Sequence, residues 1–338
     1  MTVKVRVGGA WKSITQLCPK IAILYKQIVS VSVRVEGAWR ATAQSIIQSW
    51  IKSDATSKPG YANVDGAGNV YVTGYYSIMK YNSAGVLQWT NSAYSYCRES
   101  VVDSAGNFYM LANDVLVKLN SAGVFQWQNN TYAYANGIAI DAVGNVYVGY
   151  HDITLCVIKF NSSGGIVWIC PSAYTFVSRL CVDSAFNVFV AVSESIGNPN
   201  LIKINSAGVI QWTKTTFDVT IDVGVDLSGS IYIFSLLDPP DGPTLRKLNS
   251  SGVEIWKKTG MPRAVNMKID IAGNIYIACA NAAGSVNLQK YNTYGVLLWS
   301  LTDTGNCQWV FVDSKQAVYA CYNDWAAQNI VRKLLPLF

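Results

Sequence analysis

The sequence predicts an all-β fold: a ring of seven four-stranded antiparallel sheets, closed by a strand from near the start of the chain. Three observations carry that prediction. The phrase D-x-x-G-N-x-Y-V or a close variant returns seven times, its Asp at 65, 103, 141, 183, 226, 270 and 313, in steps of 38, 38, 42, 43, 44 and 43 residues. Six of the copies end in variants of K-x-N-S-x-G-V-x-x-W, as in KLNSAGVFQW from Lys118 to Trp127. Twenty Tyr and eleven Trp against nine Pro favour strands over helices. A period of about 40 to 45 residues is that of a propeller blade.

Each blade divides into four elements. Apolar residues before the Asp (GIAI before Asp141) form strand A, and NVYV after it forms strand B. LVKLN forms strand C and GVFQW strand D. Between A and B, DSAG supplies an Asp to cap the turn and a Gly for positive φ; between C and D, NSAG repeats that solution. The recurring Asp and Asn are therefore turn formers rather than metal ligands or catalytic groups, and neither a metal nor a cofactor is expected.

Ring closure follows from the Trp spacing. Trp89, Trp127, Trp168, Trp212, Trp256 and Trp299 stand 14 or 15 residues before the next repeat Asp, and Trp50 stands 15 before Asp65. The last repeat, from Asp313, ends in IVRKLLPLF without a strand D. SIIQSW, Ser45 to Trp50, is predicted to supply it, which removes the open sheet edge between the chain ends. The chain thus divides into residues 1–44 and a propeller over 45–338.

Variation within the repeat marks one face. The Asp-to-aromatic distance is six in every repeat and the Lys-to-Trp distance nine in all six complete ones, whereas the B–C stretch grows from nine residues (Tyr71 to Lys80) to fifteen (Tyr232 to Lys247). A–B and C–D turns share one face; the variable B–C and D–A loops share the other, where binding residues are expected. Its candidates are Tyr75, Tyr76, Tyr96, Tyr134, His151, Asp152, Asn323, Asp324 and Trp325, whose rings and polar groups suit stacking on sugars or gripping a protein. Tyr94, Tyr132, Tyr174 and Phe217 all stand nine before their Asp and read as repeated packing residues.

Charge separates the two segments. Residues 1–44 hold seven basic residues against Glu36 alone, leaving 19 of each sign in the propeller, so the whole net charge of +6 lies in the leading segment. A neutral propeller argues against nucleic acid, which needs a concentrated basic patch. The recurring lysines (80, 118, 159, 203, 247, 290, 333) are expected to pair with the repeat aspartates. Within the basic segment, VKVRVGGAWKSI (Val3 to Ile14) and VSVRVEGAWRAT (Val31 to Thr42) read as two hairpins that are too small for a core of their own and need a partner surface. Trp11, Lys12, Trp39 and Arg40 are the docking candidates.

No leader pattern or bilayer-length apolar run is present, so neither export by a cleaved leader nor membrane insertion is expected. The eight Cys lack C-x-x-C spacing and read as buried free thiols. No nucleophile, zinc or phosphate-loop motif accompanies the single histidine, His151. A catalytic role is not expected, although Asp114, Asp152, Glu194, Asp238, Asp241 and Asp324 on B–C loops are the carboxylates that an acid/base pair above the central channel would use.

The VRVGGAWK and VRVEGAWR units resemble short repeats of tail-associated and other structural proteins of tailed bacteriophages, and the D-x-x-G-N-x-Y-V blades resemble bacterial propeller repeats related to the NHL class. Together they imply a non-enzymatic protein of the virion, such as a tail fibre, baseplate part or capsid decoration. Residues 1–44 would dock on other virion proteins and the propeller face would bind a host-surface polysaccharide. The other readings are a bacterial carbohydrate-binding propeller and a glycan-cleaving propeller enzyme.

Overall fold

The computed structural model describes residues 3–7, 10–14, 32–35, 38–41, 46–54 and 61–336, except 75, 114, 131–133, 152–154, 172–175, 194–199, 216–218, 237–241, 280–285, 303–305 and 324–328. Seven antiparallel four-stranded sheets form the propeller. Blade 1 runs Tyr61–Val64, Val70–Thr73, Ile78–Tyr81, Leu87–Asn91, and the next five follow the same A-B-C-D order. Blade 7 takes Asn306–Val312, Val318–Asn323 and Asn329–Pro336 from the C-terminal end and its outer strand, Ile46–Asp54, from the N-terminal side. The closing strand is longer than the predicted 45–50: pairing runs from Pro336 opposite Ile46 to Asn329 opposite Asp54.

The two leading hairpins form as separate two-stranded sheets, Val3–Val7 with Ala10–Ile14 and Ser32–Val35 with Ala38–Ala41. Their registers match: Arg6 lies opposite Trp11 and Arg34 opposite Trp39.

Strand B is buried along its whole length in blades 1 to 6, because a neighbouring blade covers each of its faces. That is why NVYV-type segments carry consecutive apolar residues where a one-sided strand would alternate. Strand D forms the exposed rim. The seam between blades 7 and 1 packs like the others: Ala62, Val70, Val72 and Met79 meet Trp309, Phe311, Tyr319 and Cys321 in one apolar cluster.

The repeated K…N-S-x-G…W phrase is a clasp between blades. Lys80 Nζ and Trp89 Nε1 of blade 1 both donate to the Ser121 carbonyl of blade 2, at 2.9 and 3.1 Å. Lys118 and Trp127 do the same to Ser162 of blade 3, and Lys333 of blade 7 reaches Ser83 of blade 1 at 3.0 Å. The indole lies against the turn glycine of the next blade; at Gly208, with φ of +84°, an added Cβ would meet Trp168 at 2.8 Å. The lysines therefore serve chiefly the next blade's turn carbonyl, a correction to the expected Lys–Asp pairing. Ion-pair distances occur in blades 3 and 5, Lys159 to Asp141 at 3.9 Å and Lys247 to Asp226 at 3.7 Å.

Each repeat Asp caps its turn as expected. In blade 1, Asp65 Oδ1 accepts the amides of Ala67 and Asn69, and Oδ2 accepts Asn69 Nδ2 and the Tyr71 hydroxyl. Burial, and then the adjacent carboxylate, push the strand-B phenols well up, so they remain donors. Cys97, Cys170, Cys181, Cys279, Cys307 and Cys321 are free, and the last three and Cys170 are buried.

Candidate functional site

The predicted loop face carries a row of exposed aromatics on blades 1 to 4. Tyr96, Tyr134 and Phe176 each stand seven residues before a repeat Asp, at the corner where strand A begins, and all three adopt left-handed backbone, with φ of 55°, 69° and 79°. The Tyr134 carbonyl accepts the His151 amide at 2.9 Å and the Phe176 carbonyl accepts the Ser193 amide at 3.0 Å, so the strained corner closes the A–B ladder. The side chains are turned outward, 51, 59 and 41% exposed. The ring of Tyr76 meets that of Tyr96 at 6.4 Å, and His151 stands 6.5 Å from Tyr134 and 3.7 Å from Phe176. Bulky residues rarely hold positive φ, and such strain concentrates at working sites.

Of the predicted contact residues, the structure brings Tyr76 beside Tyr96 and Tyr134 beside His151. Asn323 ends strand B of blade 7, opposite Asn306 and Asn329. Tyr75, Asp152, Asp324 and Trp325 lie outside the described residues, as do Tyr132, Tyr174, Phe217 and the loop carboxylates Asp114, Glu194, Asp238 and Asp241. Trp11, Lys12, Trp39 and Arg40 occupy the second strands of the two hairpins. Tyr94 packs against the core between blades 1 and 2, the role expected for its position. Phe176 was not anticipated; the signal for it is an aromatic at the same offset in three successive repeats.

A second constellation, inside the central channel, lies away from the loops. In blades 2 to 7 strand A carries a β-bulge that ends at the residue four before the repeat Asp. Bulges re-aim side chains, and here the position differs in every blade: Tyr61, Glu99, Gly137, Arg179, Asp222, Asn266 and Trp309. Arg179 of blade 4 places Nε 3.3 Å from Glu99 Oε1 of blade 2 and its guanidinium carbon 5.0 Å from the Trp309 ring centre of blade 7. Side chains of non-adjacent blades can meet this way only across the axis of the ring. Tyr61 packs edge-on to Trp309 at 4.6 Å. Gly137 stands between the Glu99 and Arg179 blades, and a Cβ there would meet Leu180 at 2.6 Å.

These polar groups also tie neighbouring inner strands together. Glu99 Oε2 accepts the Ile138 amide at 3.0 Å, Asp222 Oδ2 the Met267 amide at 2.7 Å, and Asn266 Oδ1 the Val310 amide at 3.0 Å. Burial raises the pKa of both Glu99 and Asp222, outweighing the opposing pull of the Arg179 and Lys268 charges. Burial would lower that of Arg179, but Glu99 and Asp222 more than compensate and raise it. Beside the cluster is a cavity of about 200 Å³ whose walls include Asn63, Cys181, Lys268, Trp309 and Phe311. Sequence reading overlooked this site because it looked for individuality in loops. The cue was available: one strand-A position that differs in all seven repeats. No group of three or more His, Cys, Asp or Glu among the described residues could hold a metal ion.

No protein-family model matches the sequence, and no curated protein matches it. Solved structures resemble the fold. The WD40 β-propeller domain of Doa1 aligns with a TM-score of 0.69 at 12% identity, covering 86% of this chain and 97% of that one. Streptogramin B lyase gives 0.67 at 12% identity, with 85% and 98% covered. BamB from Moraxella catarrhalis gives 0.58 at 16% identity, with 91% and 97% covered. At such identities the likeness speaks for architecture alone: the chain is a seven-bladed β-propeller.

Proposed function

We propose that the protein is a non-enzymatic structural or attachment component of a phage particle. In this reading the basic hairpins of residues 1–44 dock on neighbouring virion proteins, and the loop face of blades 1 to 4 binds a host-surface polysaccharide. The observation that carries the binding part is the exposed row of Tyr76, Tyr96, Tyr134, His151 and Phe176, three of its members held in strained backbone. Flat rings presented outward on a rigid scaffold suit the apolar faces of sugar rings. The docking part rests on the concentration of net charge in the hairpins and on their pairing outside the seven blades.

One experiment with two arms tests the reading. Binding of the full chain to purified host polysaccharide, followed by surface plasmon resonance, should weaken about ten-fold for Tyr96→Ala and for Tyr134→Ala. Deletion of residues 1–40 should leave binding intact and abolish incorporation into particles. Unchanged binding in both Tyr variants counts against the glycan face, and unchanged incorporation counts against the docking role. Hydrolysis of the polysaccharide would favour an enzyme.

A further inference from the structure

The channel cavity is a donor-rich site, and its chemistry selects a ligand class. The acceptors around it are already engaged. Glu99 takes the Ile138 amide on one oxygen and faces Arg179 with the other. Asp222 takes the Val223 amide on Oδ1 and the Met267 amide and Asn266 Nδ2 on Oδ2. Two donors have no hydrogen-bond partner among the described residues, although the Lys268 charge acts on Asp222 and Glu99. Lys268 Nζ has no hydrogen-bond or ion-pair partner among the described residues; it rests 5.8 and 5.4 Å from the ring centres of Trp309 and Phe311. Trp309 is 5% exposed, and its buried Nε1 has no partner. A buried indole N–H without an acceptor is costly, so a partner that satisfies it gains that energy on binding, and the half-buried Lys268 adds a positive charge beside it.

The same geometry disfavours a cationic ligand, because the aromatic faces that would attract one are already covered by Arg179 and Lys268. A cavity of about 200 Å³ has the volume of about seven liquid waters, which suits a molecule of monosaccharide or aromatic-acid size. We propose that the central channel binds a small organic carboxylate, its oxygens received by Lys268 and the Trp309 indole N–H and its body lying against Phe311. This site is separate from the aromatic row on the loop face, and neither reading depends on the other.

The test is calorimetric titration of the full chain with benzoate and glucuronate, each against its uncharged counterpart, benzamide and methyl glucoside. At least one acid should bind more tightly than about 10 mM, with its counterpart about ten-fold weaker or worse. Lys268→Met, which keeps the apolar stem, should weaken the acid about ten-fold or more, and Trp309→Phe, which keeps a ring but removes the N–H, about three-fold or more. Thermal unfolding of each variant confirms its fold, and Lys268→Gln replaces Lys268→Met if the latter fails to fold. Absence of binding by both acids, equal binding of acid and counterpart, or unchanged affinity in the Lys268 variant would overturn the proposal.

Discussion

The rim and the channel of this propeller are built on opposite plans. At the rim, a Lys, a Trp or both reach the next blade's turn carbonyl in most blades, as Lys80 and Trp89 do on Ser121. In the channel, one equivalent position holds Tyr, Glu, Gly, Arg, Asp, Asn and Trp in turn. A rim residue meets only the adjacent blade, so one solution can be repeated from interface to interface. A channel residue meets several blades at once, and seven copies of one charged side chain on the axis would repel each other. Repetition records nearest-neighbour packing, and individuality marks the place where the ring closes on itself.

That contrast can be broken at either end. The largest effect is expected from Tyr276→Ala, which empties a fully buried site in the interblade core and removes a bond to Asp270. It should cost about 3–5 kcal/mol in urea unfolding. Tyr147→Ala, the same change in blade 3, should agree with it within about 1 kcal/mol; a wide disagreement would sink the equivalence of the rim-side interfaces.

Next comes Arg179→Met, which takes from buried Glu99 its ion-pair partner and removes one of the two cations, with Lys268, that offset Glu99 and Asp222. Near neutral pH the loss should be about 3 kcal/mol, and it should shrink in acid. The sign follows from the raised pKa of both carboxyls. The folded state holds those protons more tightly than the unfolded chain, so the pair favours folding at low pH and loses that contribution as pH rises through the raised values. Denaturant curves across acidic to neutral pH would expose a pH-independent difference, which contradicts this account.

The smallest effect is a gain. Gln316 occupies, with φ of 63°, the left-handed turn position that Gly holds in most blades. Gln316→Gly should therefore stabilise the fold by about 0.5–1 kcal/mol, net of the entropy cost of glycine. A loss on thermal unfolding would mean that the Gln side chain contributes more than the strain it imposes.

Much of the fold was legible because its determinants are local and repeated. DSAG and NSAG give their turns wherever they stand, and the missing strand D after Asp313 pointed to the segment around Trp50. The end of that closing strand was not legible: pairing continues to Asp54 because Asn329–Pro336 offers a partner along the whole stretch. On the loop face, Tyr76, Tyr96, Tyr134 and His151 stand in the variable B–C and D–A loops that the sequence marks as the candidate surface. Phe176 went unrecognised, since its exposure depends on a backbone angle that propensity does not announce for Phe. The partners of the recurring lysines were misjudged for a related reason. Attraction to the Asp of the same blade is the obvious inference from charge and is seen for Lys159 and Lys247, whereas Lys80, Lys118, Lys203 and Lys333 bond to an uncharged carbonyl of the next blade.

By itself the sequence determined how many blades there are, which residues turn the chain, and that the ring closes through the N-terminal side, because each of these follows from a period and from neighbours along the chain. Only the tertiary structure decided that Glu99, Arg179 and Trp309, from the second, fourth and seventh blades, converge on one axis beside a cavity that Lys268 lines. Strand-A residues remote in sequence become neighbours when the seven sheets close into a ring, and no local pattern encodes the distance between them.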